Sequence, residues 1–252
     1  MFNRLRCIIN RSSESYNIAP AAVFLCSFHT SSSLALISGR ATINSLDVLT
    51  ILTATYLYIL CQALDIRALQ AEFYDGLDAI ITEELTVTFG TYLDNAGFQI
   101  ISSEVKKAMR ETFDATSTMD VADRMNKVAA SSTTCIVDFF TGSKFSDTAS
   151  VGTALTSITP FRTQVASKAK SLLLQLRDDY LSGAKGAAPA GRYLNKTRPI
   201  YEHVRITLGI RMHGSENNSM FANGLGVDDV TIGQNISLIQ EVSLLYALYS
   251  VP

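Results

Sequence analysis

The side chains that could carry chemistry are few, and their spacing does not form a known site. The residue types most often used for metal binding and nucleophilic attack lie at His29, His203, His213, Cys7, Cys26, Cys61 and Cys135. No Cys-x-x-Cys pair occurs, the histidines lack metal-ligand spacing, and no Gly-x-Ser-x-Gly turn offers a hydrolase nucleophile. The residues therefore predict no catalytic, cofactor-binding or metal-binding site in this chain.

The charge and the cysteines restrict the partners and the compartment. The 252 residues carry a formal net charge of -2, and the 17% that are charged form no cluster of Lys and Arg. A nucleic-acid or polybasic membrane surface needs such a cluster, so we expect neither partner. The widely separated cysteines are typical of reduced thiols in a cytoplasmic protein. Glycosylation sequons at Asn10, Asn195, Asn217 and Asn235 are interpreted as chance occurrences.

Residues 46–69 form the most apolar stretch and predict a long buried helix. Apolar side chains fall on every side of a helical wheel, which is typical of a helix inside a protein or a membrane. A membrane span is the alternative, because the uncharged run between Asp47 and Asp65 approaches the required length. We favour the central helix of a soluble bundle, since polar residues interrupt the run and no basic flank orients it. Gln62, Asp65 and Arg67 would then need protein partners.

Downstream, the apolar periodicity predicts three amphipathic helices and the connections between them. The helices cover residues 100–113, 119–140 and 159–182. Thr159 followed by Pro160 is typical of a helix start, and Gly183 is typical of a helix end. The connections are a turn at 94–97, a loop at 141–159 and a linker at 183–191.

Two further helices are predicted near the end of the sequence. Pro199 suits the first turn of a helix that ends at Gly209. After a loop at 213–226, Thr231 and Gln234 have the spacing of a capping box, in which each side chain bonds the backbone of the other residue. A last helix is therefore expected to start at this pair.

Several runs of sequence carry a family resemblance. They are Leu-Ile-Ser-Gly-Arg at 36–40, Leu-Cys-Gln-Ala-Leu-Asp-Ile-Arg at 60–67, Thr-Arg-Pro-Ile-Tyr-Glu-His-Val-Arg at 197–205 and Val-Thr-Ile-Gly-Gln-Asn-Ile-Ser-Leu-Ile at 230–239. In this order they resemble the C-terminal portion of the aromatic amino-acid ammonia-lyases, specifically the phenylalanine ammonia-lyases of fungi.

The resemblance implies an all-α fold, with the long buried core helix of an ammonia-lyase-type helical bundle and a helical insertion. Its parts would be a core helix region at 33–76, a shielding-like helical insertion at 77–191 and C-terminal helices at 192–241. Residues 1–32 and 242–252 do not match the family. For residues 1–32, an Arg- and Ser-rich, acid-poor start is typical of a mitochondrial presequence, and a basic start before an apolar run is typical of a signal peptide. We favour a third explanation, that both segments are foreign to the fold, as from a mispredicted exon or a truncation.

The resemblance also implies an activity, the non-oxidative deamination of L-phenylalanine to trans-cinnamate and ammonia, with L-tyrosine as a second candidate substrate. It implies a cytoplasmic homotetramer of phenylpropanoid metabolism, with active sites shared between subunits. The family's electrophile is methylidene-imidazolone (MIO), which forms from an Ala-Ser-Gly tripeptide. This sequence contains no Ala-Ser-Gly. Ser38-Gly39 follows Ile37 and matches the start of the core helix instead.

The family's catalytic residues cannot be carried over to this sequence. The Glu and Gln that the family has just before the core helix correspond here to Leu25 and His29. The other catalytic groups belong to the family's N-terminal part, and we expect Tyr56 and Tyr58 to pack with hydrogen-bonded tips. The chain alone is therefore expected to be inactive. The alternative function is a non-catalytic helical module that associates with intact ammonia-lyase subunits.

Overall fold

The computed structural model describes residues 20–142, 151–214 and 231–249, with side chains described for 34–142, 151–214 and 231–242. Every element in these ranges is helical, which confirms the all-α class. The elements are α1 (Pro20–Phe89), α2 (Asn95–Ala115), α3 (Val121–Thr141), α4 (Val151–Thr156), α5 (Ile158–Ser182), a 3-10 turn (Pro189–Tyr193), α6 (Arg198–Glu202), a π turn (His203–Thr207) and α7 (Ile232–Tyr249). The side chains of Leu25 and His29 and most of the loop predicted at 213–226 lie outside the described residues.

The chain divides into two compact units, residues 1–56 with 236–252 and residues 57–235. In the first unit, Gln240 Nε2 donates a hydrogen bond to Thr50 Oγ1 at 3.2 Å. Ala54 and Ile239 are buried. Several threonines of α1 bond carbonyls within the helix, as Thr53 Oγ1 does to Leu49 O at 2.9 Å. Each of these hydroxyls thus has a backbone partner within the helix.

The second unit has its hydrophobic core against the last part of α1. Phe73, Leu77, Ile81, Leu85 and Phe89 recur every four residues and are each 0% exposed. Residues four apart share one face of a helix, so the stripe is a single continuous contact surface. The stripes of the other helices in this core include Ile101, Val105, Met109, Phe113, Met125, Val128, Ile136, Phe161 and Val165.

Aromatic rings link the two ends of this stripe to the other helices. The Phe73 ring stacks on Phe113 with centroids 4.6 Å apart. At the other end, the Phe89 ring lies 5.6 Å from the rings of both Phe140 and Phe161. The amphipathic helices predicted at 100–113, 119–140 and 159–182 are confirmed, with their apolar faces in this core.

Gly76 marks a close approach between α1 and α5. A Cβ atom at this position would lie 2.6 Å from Leu172 Cδ2, which is too near for two carbon atoms. Glycine is the residue that leaves this space open. The two helices approach here because one of them carries no side chain.

Two helix starts differ from the prediction. Residues 95–97, predicted as a turn, form the first turn of α2, because Asp94 Oδ1 accepts a hydrogen bond from Gly97 N at 2.8 Å and caps the helix. Part of the loop predicted at 141–159 is the helix α4, and α5 begins at Ile158 rather than after Thr159. Pro160 is tolerated as the third residue of α5, where a backbone N–H would have no partner within the helix.

Helix ends and caps in the remaining chain agree with the sequence pattern. Gly183 ends α5 in the left-handed conformation, with φ 84°. Pro199 lies in the first turn of α6. Thr231 N donates to Gln234 Oε1 at 2.7 Å, and Gln234 N donates to Thr231 Oγ1 at 3.2 Å, so the predicted capping box is confirmed. The domain boundaries that the resemblance implies stay predictions.

The burial of α1 differs from the prediction for residues 46–69. Within this chain the stretch is not the most buried element, since Val48 is 57% and Tyr56 63% exposed, while burial is complete along the stripe that begins at Phe73. The packing expected for Tyr56 is therefore wrong for this chain, whereas Tyr58 is buried as predicted. Uniform apolarity does not specify which part of a helix is covered.

One helix among the described residues is long and apolar enough to cross a membrane. It is α1 from Leu34 to Phe89, with a mean hydropathy of 1.5 in its best window, of which 22% is buried. Length and composition alone do not distinguish a membrane-spanning helix from a core helix that other protein segments cover. The two alternatives of the sequence analysis therefore remain for this segment.

Candidate functional site

Two of the polar residues on the apolar helix, Gln62 and Asp65, have their partners in the chain between 180 and 213. Asp65 is 0% exposed. Tyr201 donates its hydroxyl hydrogen to Asp65 Oδ1. Arg205 Nη2 lies 2.5 Å from Asp65 Oδ2 in an ion pair that solvent does not reach. We call the group Asp65, Tyr201, Arg205 and Gln62 the buried clasp.

Arg205 connects the clasp to the backbone beyond α6. Its Nη1 donates to Ile210 O at 2.9 Å, and its Nη2 lies 3.4 Å from Gln62 Oε1. The guanidinium thus contacts an acid, an amide and a carbonyl, which suits its planar fork of donors. Its Nε is buried without a hydrogen-bond partner among the described residues.

Gln62 pairs with the backbone of a residue far along the chain. His213 N donates to Gln62 Oε1 at 3.2 Å, while Gln62 Nε2 donates to His213 O. The oxygen and the nitrogen of the Gln62 side-chain amide are therefore both paired with the backbone of one residue. The contact fixes the chain near residue 213 to α1, and it uses only the backbone of the histidine.

Burial raises the pKa of titratable groups in and beside the buried clasp. Burial raises the pKa of the Asp65 carboxyl, although the Arg205 charge and the Tyr201 hydrogen bond oppose the rise. Burial and the hydrogen bond to Asp65 raise the pKa of Tyr201, so its hydroxyl keeps its proton and donates it. Burial also raises the pKa of the nearby Cys61 thiol, which makes it a poor nucleophile.

A second polar cluster on α1 centres on Glu72. Tyr180 donates its hydroxyl to Glu72 Oε1 at 2.6 Å, Lys185 Nζ lies 2.8 Å from Oε2, and Arg192 also pairs with Oε1. Burial acts to raise the pKa of Glu72, but the hydrogen bonds from Lys185 and Tyr180 and the two positive charges outweigh it, so the pKa is lowered. The cluster ties α1 to the end of α5 and to the linker that follows.

A third cluster joins α1 to the end of α2. Tyr74 donates its hydroxyl to Asp114 Oδ1, and Gln70 Nε2 donates to the same oxygen at 2.8 Å. Burial and the hydrogen bond to Asp114 raise the pKa of Tyr74 to about 12. One turn further, Arg110 binds both oxygens of Asp78, at 3.2 and 2.8 Å. These pairs fix the alignment of the two helices.

In the part of the chain that the structure describes, these clusters hold elements together, and the carboxylates of Asp65, Glu72, Asp78 and Asp114 are each bonded to partners. A cavity of about 260 Å³ adjoins Asp65 and Arg205 and is lined on the other side by the turn at Gly183 and Gly186. Both charged groups are already committed to each other there. Arg67, also expected to need a partner, is exposed and contacts Gln70 at 3.4 Å. Among the described residues no group of His, Cys, Asp and Glu could hold a metal ion.

The sequence predicted that Gln62 and Asp65 need partners, but it did not identify them. Tyr201 and Arg205 were not recognised as partners of Asp65, although their spacing of four is typical of residues on one face of a helix. The separation of 140 residues between Asp65 and Arg205 leaves no local pattern that links them. The Ser38-Gly39 pair lies exposed on α1.

The residues of this chain do not fit the electrophile that the resemblance implies. Methylidene-imidazolone forms from three consecutive residues, Ala-Ser-Gly, and the sequence contains no such tripeptide. Neither the clasp nor the Glu72 cluster offers a substitute electrophile. No catalytic step through this group is therefore assigned to these residues.

Comparison with known structures places the fold among the helical ammonia-lyases. Two crystal structures of phenylalanine ammonia-lyase from the yeast Rhodosporidium toruloides match with TM-scores of 0.71 and 0.70, each at 28% sequence identity. They cover 86% and 87% of this chain, and the chain covers 31% of each of them. No family model matches the sequence.

The sequence comparisons are more specific. The chain is 58% identical over 212 residues to phenylalanine ammonia-lyase 1 of Pleurotus ostreatus and 54% identical over 209 residues to that of Strobilurus tenacellus. Each match covers 83% of this chain, which spans 28% and 29% of the length of these relatives. The chain is thus a homologue of the fungal phenylalanine ammonia-lyases over most of its own length, as the motifs at 36–40, 60–67 and 197–239 predicted.

Proposed function

We propose that this chain forms the C-terminal part of an enzyme that deaminates L-phenylalanine to trans-cinnamate and ammonia. The observation that supports this proposal is the identity of 58% to a phenylalanine ammonia-lyase over 212 residues. The role of these residues would be structural, because their polar clusters join α1 to α2, to α5 and to the chain up to residue 213. The reacting groups would come from sequence outside the chain.

A chimera tests this role directly. Residues 33–241 would replace the matching segment of Pleurotus ostreatus phenylalanine ammonia-lyase 1, and cinnamate formation would be followed by its ultraviolet absorbance. We expect the chimera to retain activity with L-phenylalanine. The same chimera carrying Asp65→Leu should lose soluble enzyme, because the buried Arg205 would remain unpaired. A soluble chimera that makes no cinnamate would contradict the proposal.

The 252 residues expressed alone should have no ammonia-lyase activity. Covalent catalysis needs the electrophilic group itself, and positioning cannot replace it. Purified chain would be incubated with L-phenylalanine, L-tyrosine or L-histidine and compared with heat-treated protein, with the intact Pleurotus enzyme as the positive control. Turnover above the heat-treated sample would show that a site exists in these residues and would overturn this part of the proposal.

A second candidate function is a non-catalytic module that binds intact ammonia-lyase subunits. It is favoured by the apolar side chains that α1 exposes, among them Leu46, Leu49 and Leu52 at 55%, 57% and 60%. Patches of this kind mark surfaces that another protein covers. The chain would then be recovered with a co-expressed intact ammonia-lyase in a pull-down.

Charge substitutions separate this function from non-specific adhesion. Leu49→Glu with Leu52→Glu should abolish recovery of the intact enzyme, because burying two carboxylates in an apolar interface is costly. Val87→Glu is the matched control, since Val87 is 76% exposed on the same helix but lies outside this patch. Equal recovery of all three proteins would refute a specific interface.

The remaining properties of the whole enzyme are proposals as well. We propose a cytoplasmic homotetramer that binds neither nucleic acid nor membrane. Light scattering after size exclusion should give the mass of four subunits for the chimera. Cell fractionation should leave the protein in the supernatant after carbonate extraction, whereas retention in the pellet would support the membrane-span alternative for α1.

A further inference from the structure

Residues 209–214, which we call the strap, run between two cavities in the unit formed by residues 57–235. The cavity of about 260 Å³ beside Asp65 is lined by strap residues up to Met212. A second cavity, of about 480 Å³, is lined by the strap from Met212 to Gly214. Because Met212 lines both cavities, the strap forms part of the wall that separates them.

The helices on either side of the strap contribute to the same wall. On α1, Asp65 lines the smaller cavity and the adjacent Ile66 lines the larger one. On α5, Tyr180 lines the smaller cavity and the adjacent Leu181 lines the larger one. The two cavities therefore meet where α1, α5 and the strap converge, and a displacement of the strap would join them.

The first end of the strap is held to the π turn. Ile210 is 2% exposed. Its N donates to Val204 O at 3.2 Å, and its O accepts a hydrogen bond from the buried Arg205 Nη1 at 2.9 Å. The preceding Gly209 has φ 68°, a left-handed conformation that other residues rarely adopt. A charged donor and a buried side chain thus fix this end.

The second end of the strap is held to α1 in a different way. His213 N donates to Gln62 Oε1 at 3.2 Å, and Gln62 Nε2 donates to His213 O. Both bonds are neutral, and the residues from Met212 to Gly214 are only half-buried. A neutral hydrogen bond contributes little net stability, since water replaces the partner when it opens. This end should therefore open more readily than the end at Ile210.

We propose that the strap opens locally and that Gln62 controls the opening. When the two bonds between Gln62 and His213 break, residues 211–214 turn away from α1 while Ile210 stays in place. The two cavities then join beside the Asp65–Arg205 ion pair. The open state thus has one larger site with both apolar and charged walls, whereas the closed state divides it in two.

Amide hydrogen exchange of the full 252-residue chain tests the local character of the opening without any substitution. Exchange rates would be corrected for the intrinsic rate of each residue. We expect the His213 amide to exchange about tenfold or more faster than the Ile210 amide, because local opening needs less free energy than release of the buried end. Equal protection of the two amides would overturn the proposal.

A thiol probe tests the role of Gln62. Met212→Cys places a thiol in the wall between the cavities, and its modification by a small disulfide reagent would be located by peptide mapping. Adding Gln62→Leu should accelerate this modification about tenfold, as the loss of two neutral hydrogen bonds predicts. Adding His213→Ala instead should leave the rate unchanged, because Gln62 contacts only the backbone of His213.

The native Cys135 and the Ile210 amide distinguish local opening from general loosening. Cys135 is half-buried on α3 and lines neither cavity. Faster modification at position 212 in Gln62→Leu, with unchanged rates at Cys135 and Ile210, would support the proposal. Equal acceleration at all three positions would mean that the whole chain loosens, and no acceleration at 212 would mean that Gln62 does not hold the strap. Either result would overturn the proposal.

Discussion

Two stretches of the same helix are held in opposite ways. Residues 73–89 of α1 contact α2, α3 and α5 through a stripe of fully buried apolar side chains, whereas residues 62–72 are held mainly by polar pairs with the chain between 180 and 213. Apolar packing requires only the right face and volume, while each polar pair requires one particular partner. The first stretch should tolerate repacking, and the second should not.

The polar stretch itself contains two carboxylates in contrasting states. Asp65 is fully buried with one cation, and its pKa is raised because burial exceeds the attraction of Arg205. The Glu72 side chain is 15% exposed with two cations and a tyrosine hydroxyl, and its pKa is lowered. The Glu72 cluster should therefore stabilise the folded chain. The Asp65–Arg205 pair loses free energy through the desolvation of two charges, and it fixes the position of the π turn against α1.

The largest effect is expected in the apolar stretch. Phe89→Ala should lower the free energy of unfolding by about 4 kcal/mol, because it removes a buried ring that contacts Phe140 and Phe161. Urea unfolding followed by circular dichroism at low protein concentration measures it. Val87→Ala, at an exposed position two residues away, should change little. A similar loss for both would mean that the stripe is not the core.

Breaking the buried clasp should cost nearly as much. Asp65→Leu should destabilise the chain by about 3 kcal/mol, because it leaves the Arg205 charge buried and unpaired. Adding Arg205→Met should recover most of this loss, since the double variant buries no charge. The exposed Asp75→Leu serves as the control. A double variant as unstable as Asp65→Leu would show that the pair contributes more than its desolvation costs.

Glu72→Gln should have a smaller effect that depends on pH. The pKa of Glu72 is lowered in the folded chain, so its contribution is present above the unfolded pKa of about 4.3 and is lost as the pH falls through the folded value. We expect a loss of about 1 kcal/mol at pH 7 that shrinks as the solution is acidified below about pH 4. Glu83→Gln, which removes a more exposed pair with Lys168, should cost less at pH 7. A difference that grows towards acid would contradict the assignment.

The smallest effect is expected at the start of α7. Thr231→Ala removes one half of the capping box and should cost about 1 kcal/mol or less of local helix stability. Amide hydrogen exchange in the first turn of α7 measures it. Ser237→Ala, at an exposed position within the same helix, should instead slow exchange, because alanine is the better helix former. Equal exchange in both variants would mean that the cap does not limit fraying.

Local spacing explains which parts of the fold were predictable from the sequence. The capping box at Thr231 and Gln234, the left-handed end at Gly183 and the stripe of α2 each depend on residues within a few positions of one another. The start of α5 was misplaced because Thr159 and Pro160 suit more than one position in a first helical turn. The helix α4 was missed because Ser, Thr and Gly dominate the surrounding composition.

Long-range polar contacts explain what was not predictable. Arg205 is one of many arginines in the sequence, and nothing near it indicates that it is 2% exposed. Only the requirement that Asp65 be neutralised pointed to a partner, without its position. The exposure of part of α1 was not predicted for a related reason. The sequence of a helix that is apolar on all sides does not indicate whether the side chains that cover it belong to the same chain.

The glycine at position 76 limits how this helix can vary between relatives. In a helix interior glycine is about 1 kcal/mol less favourable than alanine, so local preference alone would replace it. Alanine would require the Leu172 side chain to shift, because a Cβ atom at 76 would lie 2.6 Å from its Cδ2. A substitution at 76 should therefore be accompanied by a smaller residue at 172, and the two positions are expected to vary as a pair across homologous sequences.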